Sequence, residues 1–286
     1  MSRRSAQMMW GWAAHLALLP LATLTLIPFL WLVTASLKSR EDFFTSTFLP
    51  MRDGPFNIAW DRLTLENYRR LFSDLGIGRA LLNSVFLAST TAILATLCCA
   101  AGGYALARLK FRGSTLMTIL VLAALLVPPP LLLAPTYQVL YEFRLLDTFA
   151  GLILPAIAPA FGVFLFRQAV LQSVPHDLLE ASRIDGCSEI GIFFTMVLPL
   201  VRPMIGAFIL ITFLATWNNF IAPQVVLQTA EKFPLSVAVA QLRGVYAQDY
   251  GLLMAGTMVS VLPPAILFLM LQKEFVTGLI TGAVKC

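Results

Sequence analysis

The charged residues of this chain are spaced so that six long stretches contain none of them. Each stretch has room for about 20 residues in a helix, the length that crosses a bilayer. Because lipid supplies no hydrogen-bond partners for the backbone, such stretches form helices, and they lack the alternation of barrel strands. The sequence therefore predicts an all-α membrane protein with six transmembrane helices. The six stretches lie between Arg4 and Lys38, Arg79 and Arg108, Arg112 and Glu142, Asp147 and Arg167, Arg202 and Glu231, and Asp249 and Lys273.

The overall charge agrees with a membrane protein and disfavours a nucleic-acid partner. Only 12% of the residues are charged, about half the share of a soluble domain. The net charge is +5, and the basic residues are scattered rather than clustered, so we expect a lipid bilayer rather than a nucleic acid to meet them. The apolar stretch after Arg3 and Arg4 is too long for a signal peptide and predicts an uncleaved first span.

Three consecutive prolines interrupt the third stretch at Pro128, Pro129 and Pro130. Each proline removes a backbone donor and bends or breaks a helix. We expect a helix break near the middle of the membrane, where unpaired carbonyl groups could serve a pathway. Prolines are also common in membrane helices without such a role.

The segment between the fourth and fifth stretches has the pattern of a short helical hairpin. Ser173 is placed to cap a helix that starts near Pro175, and Asp185-Gly186 is a typical helix stop. Ser188 is placed to cap a second helix that runs to Pro199. Small residues at the centre of the first helix would allow another protein to dock closely.

This segment, residues 173–199, resembles the EAA loop of permease subunits in ATP-binding-cassette importers. The departures from the family pattern, Ser182 and Cys187 for alanine, replace one small residue by another, and Gly191 stands where a longer residue is common. The matching residues are Glu180-Ala181-Ser182, Asp185-Gly186-Cys187-Ser188 and Leu198-Pro199. Further resemblance to the carbohydrate type of permease lies at Leu65–Tyr68, Asn83-Ser84, Tyr104–Gly113, Trp217–Phe220 and Gly278–Lys285.

The resemblance implies the type I importer permease fold and a role without catalysis. Separate ATPases would bind ATP and Mg, since the chain has no phosphate-binding Gly-x-x-x-x-Gly-Lys motif of its own, and this subunit would bind no cofactor. The implied partners are a second permease subunit, two ATP-binding-cassette ATPase subunits and an extracytoplasmic solute-binding protein. The residues expected to couple to the ATPases are Glu180, Ala181, Ser182, Asp185 and Gly186.

The resemblance also orients the chain, because basic residues alone divide equally between the two sides. An EAA loop faces the cytosol, which places both termini inside a bacterial inner membrane. The expected organisation is a cytoplasmic N-terminus at 1–11, a first transmembrane helix at 12–36, an extracytoplasmic loop at 37–78, a permease core at 79–272 and a cytoplasmic tail at 273–286.

Polar residues inside the fifth stretch are the candidates for the substrate pathway. Trp217, Asn218 and Asn219 combine an aromatic face with two amides, which suits a sugar; Tyr137 and Gln138 are weaker candidates. The same residues could instead join helices and anchor the interface.

Other functions are less well matched by the sequence. A carrier coupled to ions would need ionisable residues within the spans, and a membrane enzyme would need a catalytic cluster, yet the only two histidines, His15 and His176, lie far apart. No metal-ligand spacing is present either. A permease for glycerol-phosphate or a polyol is the nearer alternative, but a phosphorylated ligand would call for basic residues within a span.

Overall fold

The computed structural model of the chain describes residues 3–52, 57–245 and 249–283. Within these ranges the chain is helical and forms no strand, only two isolated antiparallel bridges, Lys38 with Leu63 and Met51 with Ile58. The predicted all-α fold is confirmed. The α-helices are α1 (Arg3–Ser36), α2 (Arg40–Thr45), α3 (Glu66–Ser73), α4 (Ile77–Arg108), α5 (Ser114–Ala124), α6 (Leu133–Glu142), α7 (Phe149–Ile153), α8 (Ala160–Ser173), α9 (His176–Ile184), α10 (Glu189–Ile192), α11 (Leu198–Leu200), α12 (Arg202–Trp217), α13 (Ile221–Val226), α14 (Leu235–Val245) and α15 (Tyr250–Ala283).

Three helical segments in the described ranges are each long and apolar enough to cross a membrane: Leu18–Ser36, Ile77–Arg108 and Tyr250–Lys273. Three further segments qualify only as bent pairs of helices, so the count rises to six if each pair is one span. The bends are 102° between Ser114–Ala124 and Pro129–Glu142, 42° between Phe149–Ala156 and Ala160–Ser173, and 82° between Glu189–Leu200 and Arg202–Trp217.

Several predicted boundaries differ from the helix ends. Helix α1 already starts at Arg3 rather than near residue 12, and α15 continues past residue 273 to Ala283. Residues 1–2 and 284–286, the outermost parts of the predicted termini, lie outside the described residues. The fifth stretch is not one continuous helix, because α12 ends at Trp217 and a separate short helix, α13, follows.

The chain packs as two units, of which the first comprises residues 1–78 and 239–261. Asn67 of α3 connects this helix to the end of α1. Its Nδ2 donates hydrogen bonds to the carbonyls of Ser36 and Lys38, at 2.9 and 2.8 Å. Lys38 is itself buried, and its Nζ donates to the carbonyls of Ser46 and Thr47. Burial lowers the pKa of Lys38, against a smaller opposing effect of Asp42. The end of α1 is thus held by amide and ammonium donors.

The second unit comprises residues 79–238 and 262–286, and glycines allow two of its helices to pack closely. A Cβ atom on Gly103 of α4 would lie 2.6 Å from the backbone nitrogen of Arg167 and 2.7 Å from Cβ of Phe166, both in α8. A Cβ atom on Gly162 of α8 would overlap Cys99 of α4, 2.6 Å away, and the ring of Phe208 of α12. Only glycine allows these backbones to approach so closely.

A network around Asp147 joins two loops of the second unit. The Asp147 carboxylate accepts hydrogen bonds from the backbone of Gln228 and Thr229, from the Thr229 hydroxyl at 2.5 Å and from Lys232 Nζ at 2.8 Å. Asp147 has a left-handed backbone with φ of 56°, a strained conformation for a residue with a side chain. Hydrogen bonds from Lys232 and Thr229 hold the pKa of Asp147 well below its usual range.

The same loop is held from a second side by α4. Asn83 Nδ2 donates to the carbonyls of Glu231 and Phe233, at 2.8 and 3.1 Å. Ser84 Oγ accepts from the backbone nitrogen of Leu235 at 2.7 Å. The segment 227–235 is therefore bound by three polar side chains from outside it.

The two neighbouring glycines of α4 provide a matched test of the close contact. We expect Gly103→Ala to destabilise the protein by about 1–3 kcal/mol, because the new methyl group would overpack against the α8 backbone. Gly102→Ala is the control, since its Cβ would lie an ordinary 3.5 Å from Val163 and alanine favours the helix. Thermal unfolding of both variants in detergent checks this, and an equal effect of the two substitutions would contradict it.

The depressed pKa of Asp147 predicts how its contribution to stability depends on pH. A carboxylate with a lowered pKa stabilises the fold fully above its unfolded pKa, near 3.8, and loses that contribution as the pH falls below this value. Asp147→Asn should therefore lower the melting temperature by a constant amount from pH 8 to pH 5 and by less below pH 4. Glu142→Gln, which removes an exposed carboxylate with one weak hydrogen bond, should show no such deficit.

Candidate functional site

The hairpin between α8 and α12 contains all the residues predicted to couple to an ATPase. Its first helix is α9, with Pro175 at the N-cap position. Ser173 does not cap it, contrary to the prediction, because Ser173 is the last residue of α8. Pro175 occupies the N-cap position instead, with an extended backbone that the fixed φ of proline allows.

The turn of the hairpin follows the predicted pattern. Gly186 has a φ of 85°, the left-handed conformation that ends a helix. Ser188 caps the second helix, and its hydroxyl accepts a hydrogen bond from the Gly191 nitrogen at 3.2 Å. Both of these predicted turn features are confirmed.

The second helix of the hairpin contains a π-helical turn, Phe193–Val197, between α10 and α11. Such turns are frequent at functional sites. Met196 lies in this turn, and its sulfur is 2.9 Å from the hydroxyl of Ser182 in α9. Ser182 is buried, so the small residue in the Glu-Ala-Ser motif packs the two helices of the hairpin together.

The hairpin is attached to the spans through Glu189. Its two carboxylate oxygens accept from Tyr104 Oη and Arg183 Nε, both at 2.6 Å. Tyr104 belongs to α4, whereas Arg183 belongs to α9. One carboxylate therefore connects the end of a span with both helices of the hairpin.

Below this polar contact the hairpin shares the hydrophobic core of the second unit. Leu179, Ile192 and Val197 are fully buried and pack with residues of α4, α8 and α12. The other members of this core include Tyr104, Phe166, Val170, Val174, Val201 and Phe208. The inner side of the hairpin is thus fixed to three helices of the unit.

The outer side of the hairpin is apolar and exposed. Ile184 is 86% exposed, Ile190 73% and Phe194 55%. We call these three residues, with Leu178 and Ala181, the outer face of the hairpin. Large apolar side chains exposed on one hairpin are candidates for a contact surface.

The predicted coupling residues divide between the two sides. Glu180 is 58% exposed, and its carboxylate lies 3.3 Å from His176 Nδ1. Ala181, Asp185 and Gly186 are exposed as well, whereas Ser182 faces the interior of the hairpin. Glu180 is therefore available to a partner together with the apolar outer face.

The candidate pathway residues lie at the end of α12 rather than within a continuous span. Trp217 is buried and stacks on Phe213, with ring centroids 5.5 Å apart. Asn218 turns back to donate to the Leu214 carbonyl at 2.9 Å, and Asn219 accepts from the Ala222 nitrogen. The two amides thus end one helix and start the next. Of the three, Asn219 lines a small cavity of about 60 Å³.

The three prolines stand where the third span bends by 102°. Pro128 has an extended backbone, and Pro129 begins a turn of 3₁₀ helix. Tyr137 and Gln138 follow in α6, where Gln138 makes only a weak contact of 3.4 Å with Glu142. The bend leaves exposed apolar residues on both sides of it, Leu126 and Leu131.

Some functional contacts were missed by the sequence reasoning. Tyr104 and Arg108 lie one helical turn apart at the end of α4, and Arg108 Nη2 donates to the carbonyls of Leu171 and Val174. This spacing, which places both side chains on one face, was the available signal. Across the ranges that the structure describes, no three His, Cys, Asp or Glu side chains gather as a metal site.

Comparisons with known proteins agree with this architecture. The family "Binding-protein-dependent transport system inner membrane component" matches residues 92–276. A crystal structure of a bacterial ABC transporter that imports the acidic polysaccharide alginate contains a chain with a TM-score of 0.78, which covers 96% of this chain and 99% of that one. At 20% identity, it supports the fold alone.

Relatives at higher identity cover nearly the entire chain. The arabinooligosaccharides transport system permease protein AraQ of Halalkalibacterium halodurans is 36% identical over 99% of each chain. The diacetylchitobiose uptake system permease protein NgcG of Streptomyces coelicolor is 33% identical over 95% of this chain and 88% of the relative. The chain therefore belongs to the family of binding-protein-dependent transport system inner membrane components.

Proposed function

We propose that this chain is the permease subunit that forms the solute pathway of an ATP-driven, binding-protein-dependent sugar importer. The observation that carries the proposal is the hairpin at residues 173–199, which combines a fixed inner side with an exposed apolar outer face. A surface of this kind is suited to bind an ATPase subunit whose movement is passed on to the permease. As a transport subunit of this family, the chain itself catalyses no reaction.

In the proposed mechanism two ATPase subunits bind ATP and Mg and move the hairpin as they close. Glu189 accepts a hydrogen bond from Tyr104, and Leu179 and Ile192 are packed in the common core. Because of these contacts, α4 and α8 move together with the hairpin. The spans then change from an inward-open to an outward-open arrangement. Solute shifts this equilibrium only through different contacts in the two states.

The proposed partners and topology follow from the same assignment. A second permease subunit completes the pathway, and an extracytoplasmic binding protein delivers the solute. The hairpin, both termini and the tail face the cytosol of a bacterial inner membrane, so the loop at 37–78 and the Asp147 network lie on the outer side. The chain binds no cofactor in this scheme.

The sugar assignment rests on the named relatives and on the chemistry of the candidate pathway. Relatives of this chain are named for arabinooligosaccharides, diacetylchitobiose and lactose. The amides of Asn218 and Asn219 can hydrogen-bond hydroxyl groups, as sugar binding requires. Asn219 is the stronger candidate of the two because it already lines a cavity.

The first test is a charge reversal on the hairpin. Glu180→Lys should reduce ATP-driven solute uptake in liposomes several-fold, because a cation would replace an exposed carboxylate at the proposed ATPase contact. Uptake and ATP hydrolysis are measured together after purification with the co-expressed ATPases. Glu231→Lys is the control, since Glu231 is exposed and distant from the hairpin in sequence. Unchanged coupling in Glu180→Lys would reject the docking role.

The second test changes the apolar outer face without changing the fold. Ile184→Asp should weaken co-purification of the ATPases by about tenfold or more, because a buried interface would then contain an unpaired charge. The melting temperature of the isolated chain should remain unchanged, since Ile184 is 86% exposed. Leu179→Asp, which alters the buried side of the same helix, should instead unfold the protein. Full ATPase retention in Ile184→Asp would show that the outer face is not the contact.

A further inference from the structure

A basic cavity of about 600 Å³ lies where α4 ends and α5 begins. The cavity lies beside the first residue of α9, His176, and belongs entirely to the second unit. It is distinct from the outer face of the hairpin, because none of the residues of that face lines it. Its lining consists of Leu106, Ala107, Arg108, Leu109, Lys110, Phe111, Arg112, Ser114 and His176.

The lining is positively charged and contains no carboxylate. Three cations, Arg108, Lys110 and Arg112, lie within five residues, and His176 adds a titratable nitrogen. The lining residue His176 contacts an acidic residue outside the lining, Glu180, whose carboxylate lies 3.3 Å from its imidazole. Charge of one sign that is not neutralised within the lining attracts an anion.

The basic residues of the cavity differ in what they can still bind. Arg108 already donates to the carbonyls of Leu171 and Val174, and its buried Nε has no partner among the described residues. Arg108 therefore contributes charge to the cavity and closes the end of α8. Lys110 and Arg112 are exposed and form no ion pair with any residue that the structure describes. Their donors are available to a ligand.

We propose that this cavity binds the phosphate headgroup of an anionic phospholipid. The cations alternate with apolar Leu109 and Phe111, and Phe111 is 43% exposed. Aromatic and basic residues at the end of an apolar helix occupy the level of the headgroups. A ligand with a phosphate and acyl chains satisfies both kinds of lining residue, whereas free phosphate satisfies only the cations.

The position of the cavity explains why a lipid can reach it. The chain runs from the apolar helix α4 through five residues into α5, whose side chains Leu116, Met117, Leu120 and others are exposed and apolar. Gly113, the residue before α5, has a φ of 94°, a conformation that favours glycine, and Lys110, Arg112 and Ser114 around it all line the cavity. Acyl chains would then lie along α5 while the headgroup enters the cavity.

The test counts lipids bound to the full-length chain by native mass spectrometry in detergent. Phosphatidylglycerol and phosphatidylcholine of equal chain length are titrated in parallel, with and without inorganic phosphate. We expect tighter binding of phosphatidylglycerol, and a weakening of about tenfold in Lys110→Gln/Arg112→Gln, which removes two cations. Arg69→Gln/Arg202→Gln is the matched control, because both of these arginines are exposed and lie outside the cavity.

Each other outcome overturns the proposal. Equal binding of the two lipids would exclude recognition of the anionic headgroup. Equal losses in the cavity variant and the control would reveal general attraction to a basic protein rather than a site. Displacement of the lipid by millimolar phosphate would assign the cavity to a soluble phosphate compound. A melting temperature measured for both variants separates lost binding from lost folding.

Discussion

The contact on which the second unit depends is the close approach of α4 and α8. At Gly103 the two backbones come so near that a single methyl group would collide with Arg167 and Phe166, and Gly162 plays the reciprocal part against Cys99. In a membrane, helix association relies on such close packing, because lipid offers no hydrophobic gain from burying one apolar surface against another.

The hairpin is attached to the same two helices, α4 and α8. Helix α8 leads directly into α9 through Val174, whose carbonyl is bound by Arg108 of α4. Four residues earlier in α4, Tyr104 binds Glu189 in the second helix of the hairpin. Two side chains one turn apart therefore attach the hairpin to one helix at two points, its start and the beginning of its second helix. In the proposed mechanism, a force on the outer face would be transmitted through these charge-assisted hydrogen bonds, which are stronger than neutral ones.

How much of this was predictable depends on the range of the interactions concerned. Local signals worked where local physics decides: Gly186 and Ser188 form the turn that their residue types indicate. Ser173 does not act as a cap, because α8 extends to that position. The fifth stretch, free of charge as far as Glu231, gave no sign that Asn218 and Asn219 would end α12. Nor does the sequence show which face of α9 is buried: Leu178, Leu179 and Ile184 are all apolar, yet Leu179 alone of these lies in the core.

The last turn of α4 and the segment that follows it, residues 104–112, make three separate contacts. Tyr104 holds the hairpin, Arg108 closes α8, and Lys110 and Arg112 line the basic cavity that also touches His176. Because His176 begins α9 and contacts Glu180, a lipid phosphate in the cavity would lie beside the residue proposed to meet an ATPase. A ligand with a different affinity for two positions of the hairpin shifts the balance between them. A bound lipid would then influence the coupling between the ATPases and the spans, because its site lies at the end of α4 to which the hairpin is attached.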